Sequence, residues 1–344
     1  MEIPSLIEQL CLNISKSQSK TSDALALGRL VRFNKTNRKT TASVGGLQAL
    51  TSALSSSART SDLKSVEALA NTLAYLALDN DNKAVLVSPI VQGGGCDVLA
   101  IVQLCLYQLN KKHGAAGTAS KYIAPPTHAG VPIQCLCSLS RLVWNVSNIE
   151  SEYELDGICG STNTNGGEDE RSTPSLATLL VSEFVWLSDQ LNSKDEHDKS
   201  KEKNYLEVEE TRFQILGALW SLSTTCRKWN DMQAKVWVAL LATVLHLIDQ
   251  VTKENETPEK GDGDVTGGCS TGLRLASTRS LCTAAVGLMG NCLDHELLKE
   301  HVIDLNGSDD VLFRLLTKAK EDDAMYVAVL GQKALVKLSA GSVQ

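Results

Sequence analysis

Along most of the 344 residues, apolar side chains recur three and four positions apart, and no segment alternates apolar with polar as a half-buried strand would. Leu47, Leu50 and Leu54 illustrate the rule: at i, i+3 and i+7 they share one helix face and form a stripe for packing on neighbours. The strongest apolar run, Val236 to Leu245, lies between Lys235 and His246 and is about half the length a bilayer span requires. It reads as a buried helix. The pattern as a whole predicts an all-α fold.

The stripes also repeat. Residues 24–54, ALALGRLVRFNKTNRKTTASVGGLQALTSAL, and residues 68–101, ALANTLAYLALDNDNKAVLVSPIVQGGGCDVLAI, run in the same order. Each has an apolar helix, an Asn/Asp-rich turn, a short helix, a glycine cluster and a second apolar helix. Asn34 and Asn80 stand where a helix must stop, and Asn37 and Asn82 are placed to cap the short helix that follows. Gly45-Gly46 and Gly93-Gly94-Gly95 permit a sharp turn with positive φ between two helices.

This order resembles the armadillo repeat, whose three helices stack into a right-handed superhelix and whose third helix carries a core of the form Ala-Leu-x-Asn-Leu. Similar cores occur here at Gly28-Arg29-Leu30, Ala74-Tyr75-Leu76, Val143-Trp144-Asn145-Val146, Leu219-Trp220-Ser221-Leu222, Leu288-Met289-Gly290-Asn291 and Val336-Lys337-Leu338. With Arg29, Tyr75, Asn145, Ser221, Asn291 and Lys337 as counterparts, the spacings are 46, 70, 76, 70 and 46 residues. The outer two fit the period of about 40–47 residues known for such units, and the central three exceed it. Polar, loop-like segments at 110–130, 150–174, 192–210 and 252–272 account for the excess as flexible insertions. The resemblance implies one armadillo-type α-solenoid over 1–344, of about six units, with disordered loop insertions and truncated repeats at Leu6–Leu12 and Ala334–Leu338.

Composition narrows the alternatives. Only 4% of residues are aromatic, with Pro 7 and Gly 24, which weighs against sandwiches and propellers. The net charge of −7 provides no global basic field for nucleic acid. The N-terminus has no basic region ahead of an apolar stretch, so no secretory signal is expected. Ten scattered cysteines, several within apolar helical patterns (Cys105, Cys135, Cys137, Cys282, Cys292), read as small buried thiols of a reducing compartment. The expected location is cytoplasmic, with the nucleus left open.

Signatures of catalysis do not hold together. His295-Glu296-Leu297-Leu298-Lys299 opens like a zinc-protease helix but has Lys where the second His belongs. Asp79 to Lys83 opens like a calcium loop, yet Ile90 stands where the bidentate Glu is needed. Gly261 to Gly268 lies in a polar insertion and forms no phosphate-binding fingerprint. Gly268-Cys269-Ser270-Thr271-Gly272 has the letters of a nucleophile elbow but no apolar strand before it. The six histidines form no recognisable triad spacing. No enzyme activity, metal or cofactor is expected.

In the armadillo resemblance the third helices line a concave groove that holds a partner segment. Import adaptors of that family place Trp and Asn four residues apart; here the counterpart of the Asn is Asn145, which puts Arg141 in the Trp place. The other pairs are Leu25/Arg29, Asn71/Tyr75, Gly217/Ser221, Gly287/Asn291 and Lys333/Lys337, so no Trp–Asn array exists and an import adaptor is not expected. The groove candidates are Arg29, Arg32, Asn71, Tyr75, Arg141, Asn145, Trp220, Ser221 and Asn291. Arg29, Arg32 and Arg141 suit an acidic segment or a GTPase surface, while Trp144 and Trp220 are equally suited to plugging the layer between repeats. The expectation is a non-catalytic protein–protein scaffold binding an extended or helical segment, without nucleic acid or membrane insertion. The alternative is a regulator of a nucleotide-cycle protein, either a small-GTPase exchange factor or a cofactor of heat-shock ATPase chaperones, which would show as accelerated release of labelled nucleotide.

Overall fold

In the computed structural model, residues 2–16, 20–88, 95–113, 132–148, 175–192, 201–225, 283–294 and 331–337 are described, with 240, 242–244, 281, 299, 317 and 329 besides. Helices α1 (Ile3–Ser15), α2 (Lys20–Val31), α3 (Lys35–Ser43), α4 (Gly46–Thr60), α5 (Leu63–Leu76), α6 (Asn80–Val87), α7 (Val98–His113), α8 (Ile133–Ser147), α9 (Leu176–Asn192) and α10 (Lys201–Thr225) follow in order. Residues 283–292 and 331–337 are helical as well, and no strand occurs among the described residues.

The helix boundaries follow from local chemistry, with one exchange of roles. The Asn34 side chain accepts the Asn37 N–H at 3.0 Å and caps α3, and Asp79 caps α6 by accepting from the Asp81 N–H at 3.2 Å. Asn37 and Asn82 are not the caps. They are buried and reach backwards, donating to the carbonyls of Leu30 and Leu76 at the ends of α2 and α5. A helix leaves its last carbonyls without intrahelical partners, and these amides satisfy them. Gly45 has φ +76°, and a Cβ on Gly46 would stand 2.7 Å from the Thr41 carbonyl oxygen, so the two glycines are needed for different reasons.

Packing arranges the long helices in two ladders. In one, α1 lies on α4, α4 on α7 and α7 on α9; in the other, α2 lies on α5, α5 on α8 and α8 on α10. The short helices α3 and α6 bridge neighbouring layers. Between the ladders runs a continuous core of Leu, Val and Ala that includes Ile7, Leu27, Leu50, Leu69, Leu106, Leu139 and Phe184, all fully buried. The triplets α3-α4-α5 and α6-α7-α8 supply the repeating short, second and third helices. The result is an all-α solenoid.

Two expected loops are shorter than the sequence suggested. Residues 110–113 close α7, and 201–210 form the first turns of α10 rather than part of an insertion. The 201–210 stretch is polar but contains no Gly or Pro, and Lys and Glu are good helix formers. Glu209 and Arg212, one turn apart, bond to each other as a buried pair. Residues 114–130, 150–174 and 252–272 lie outside the described residues. So do Gly261–Gly268, Ser270 and, but for Lys299, the His295–His301 stretch.

Candidate functional site

The second ladder continues past α10, and three of its joints share one bond in the same register. Asn145 Nδ2 donates to the Ala74 carbonyl (2.9 Å), Asn291 Nδ2 to the Trp220 carbonyl (3.5 Å) and Lys337 Nζ to the Gly290 carbonyl (3.0 Å). In each case the donor reaches the residue just before its own counterpart, one rung back. Ala74 and Gly290 lie in the last turns of their helices, where carbonyls need outside donors, whereas the Trp220 carbonyl also accepts from the Thr224 hydroxyl. Asn291 also donates to Ser223 Oγ at 2.7 Å, and Lys337 pairs with Asp294. The α2–α5 joint is made differently, by the Thr72 hydroxyl on the Ala24 carbonyl and a Thr21–Ser65 hydroxyl bond.

The tryptophans fill the same joints. A Cβ on Gly217 would stand 2.5 Å from Trp144 Cε3, and one on Gly287 would stand 2.6 Å from Trp220 Cζ2. Each indole therefore lies flat against the glycine of the next rung. Trp144 also meets the Phe213 ring edge-on at 5.0 Å. Of the two readings of these residues, packing between repeats describes their contacts.

The other candidates divide into engaged and open groups. Arg141 donates to Asn71 Oδ1 at 3.2 Å and pairs with Glu210 at 3.1 Å, so it bridges α5, α8 and α10. Asn145 and Asn291 are held as above, and Ser221 is 8% exposed. Arg29 projects from α2 into solvent. Arg32, exposed in the turn after α2, stacks its guanidinium 5.5 Å over the half-buried Tyr75 ring and 4.7 Å over Phe33. Phe33 itself is 86% exposed. Sequence reasoning passed over Phe33 and Glu210: the first sits outside the core pattern, the second in a stretch expected to be a loop.

Removing the Asn145 amide isolates one joint. Asn145→Ala should destabilise the chain by about 1–3 kcal/mol, because the Ala74 carbonyl then lacks its donor. Hydrogen exchange at the C-terminal turn of α5 should accelerate while α1 is unchanged; uniform protection would show that the bond carries no weight.

Burial governs the thiols. It pushes Cys105, Cys135 and Cys292 up to about 12 and Cys11 up to about 11, so these cysteines stay protonated and poorly nucleophilic. Among the described residues no three His, Cys, Asp or Glu side chains gather as metal ligands would, and no helix is long and apolar enough to cross a membrane.

No protein-family model and no curated protein matches the sequence. Solved structures do resemble the fold. An engineered protein aligns at TM-score 0.51 and 13% identity, over 97% of this chain and 97% of its own. A designed armadillo repeat protein aligns at TM-score 0.49 and 12% identity, over 98% and 100%. Another, in complex with a (KR)4 peptide, aligns at TM-score 0.48 and 12% identity over the same shares. The helix triplets and the two ladders, with the first of these similarities, establish the fold as an α-solenoid of stacked helices.

Proposed function

We propose that this chain is a non-catalytic protein-binding scaffold whose ladder of third helices, α2, α5, α8 and α10, receives a segment of a partner protein. The observation that carries this reading is the open surface at one end of the ladder. There Arg29, Arg32, Phe33 and Tyr75 are presented side by side by α2 and α5, joining large contact area to directed hydrogen-bond donors. A rigid stack of helices holds such groups at fixed spacing, so little ordering is needed when a partner binds.

Site-specific photo-crosslinking in a native lysate tests it. A benzophenone side chain introduced at Tyr75 should give discrete adducts with partner proteins. The same group at Ser52, exposed on α4 in the other ladder, should not. Equal adducts at both positions, or adducts at Ser52 alone, would remove the groove from the account.

A further inference from the structure

The charge along the chain is unevenly placed. Residues 1–64 contain nine Lys or Arg against four Asp or Glu, whereas residues 65–344 contain 24 against 36. The excess of positive charge therefore belongs to the first helices of a chain that is acidic elsewhere. Within that end, Arg29 and Arg32 are exposed, and among the described residues neither has a carboxylate partner. Arg141, on the same ladder, is instead held by Asn71 and Glu210. Stacking on Tyr75 and Phe33 fixes the plane of the Arg32 guanidinium while its exposed N–H edge stays open to an acceptor. Exposed apolar side chains belong to the same elements: Leu25 on α2 is 49% exposed, Phe33 in the turn after it 86%, and Leu78 just after α5 52%.

Three rungs along the ladder the sign changes, with Glu207 and the exposed Glu210 on α10, the latter paired with Arg141. Neighbouring helices pack about 8–10 Å apart, and an extended chain advances about 3.3 Å per residue. A segment crossing the ladder thus moves on by about three residues per rung, and about nine residues reach from α2 to α10.

We propose that the occupant is an acidic segment of a partner protein. Its carboxylates lie against Arg29 and Arg32, an adjacent apolar side chain lies against Phe33 and Tyr75, and its negative charge ends before α10. This deepens the scaffold reading and rests on it. A nucleic acid fits less well, because a polyanion continuing along the ladder meets Glu67, Glu207 and Glu210 and gains nothing from the exposed apolar groups.

Selection from a random nonapeptide display library tests the proposal on the full chain. The unmodified protein should enrich peptides with two or more carboxylates beside an apolar residue. The double variant Arg29→Glu/Arg32→Glu should lose that preference and weaken binding of the best selected peptide by about tenfold or more. Arg29→Gln/Arg32→Gln, with circular dichroism confirming unchanged folding, should weaken it less, and Arg59→Glu on α4 not at all. Peptides selected without an acidic bias would overturn this proposal and leave the scaffold standing. No selected peptide, together with no adduct at Tyr75, would overturn both. Displacement of the bound peptide by a single-stranded RNA or by phosphatidylserine vesicles at lower concentration would assign the surface to those anions instead.

Discussion

Gly217→Ala and Gly287→Ala should each lower the denaturation midpoint sharply, the equivalent of about 3 kcal/mol, at the top of the usual range for overpacking. Ordinary helix propensity predicts the opposite sign, since Ala in place of an interior Gly stabilises a helix by about 1 kcal/mol. The steric term decides. A new methyl on Gly217 would sit 2.5–2.6 Å from three atoms of the Trp144 ring, and one on Gly287 would meet Trp220 as closely. A flat indole between two helices cannot withdraw the way a flexible chain end can. The diagnostic is a cycle with Trp144→Ala, which alone costs about 3 kcal/mol or more by leaving a cavity. Combined with Gly217→Ala, the loss should be well below the sum, because the clash vanishes with the ring. Additive losses, or a Gly217→Ala protein as stable as its parent, would refute the indole-on-glycine joint. Unfolding in a solenoid need not be all-or-none, so exchange protection in α8 and α10 is the preferred readout.

Glu183→Gln should raise stability at neutral pH and flatten its dependence on pH. Glu183 is fully buried on α9, and neither carboxylate oxygen makes a direct hydrogen bond among the described residues. Burial lifts its pKa from the usual 4.5 to about 7, with the Asn110 side chain on α7 offsetting this only in part. From α10 the nearby charges are Arg212, 5.8 Å over the adjacent Phe184 ring, and Glu209, which are bonded to each other. The folded state therefore holds the proton more tightly than the unfolded chain. Below pH 4.5 both states are protonated and the group costs nothing. Between 4.5 and 7 stability falls as pH rises, and above 7 the full penalty, on the order of 3 kcal/mol, is in place. Thermal midpoints measured from pH 4 to 8.5 should converge with those of Glu183→Gln at the acid end and separate through this window. Parallel curves would mean that the carboxyl titrates normally.

The helices and their register were legible because both depend on local facts. Apolar spacing locates each buried face, and Asn34 and the Gly45-Gly46 pair mark turns between helices, although the caps proved to be Asn34 and Asp79 rather than Asn37 and Asn82. The short cores hold a common register in part, since Asn145, Asn291 and Lys337 make the same bond one rung back. What spacing could not reveal was that these groups are engaged. A polar side chain on a third helix looks equally available whether or not a carbonyl 71 residues earlier awaits it. Trp144 and Trp220 were ambiguous for a related reason, as their glycine partners lie 73 and 67 residues downstream. The first turns of α10 were hidden by their charge, although lysine and glutamate disfavour burial rather than helix. Phe33 fell outside the core pattern, and its exposure is a matter of what fails to cover it.

The register shared by three of the joints bears on how neighbouring rungs constrain each other's sequence. Asn145, Asn291 and Lys337 each reach the residue before their own counterpart, and Trp144 and Trp220 each meet the glycine four places before the next counterpart. Each such joint is completed by groups from two rungs, so the fit of one rung is set by the sequence of its neighbours. The α2–α5 joint, made by Thr21, Thr72 and Ser65, couples its two rungs through hydroxyls instead, so a substitution at one rung is felt first at the rung beside it.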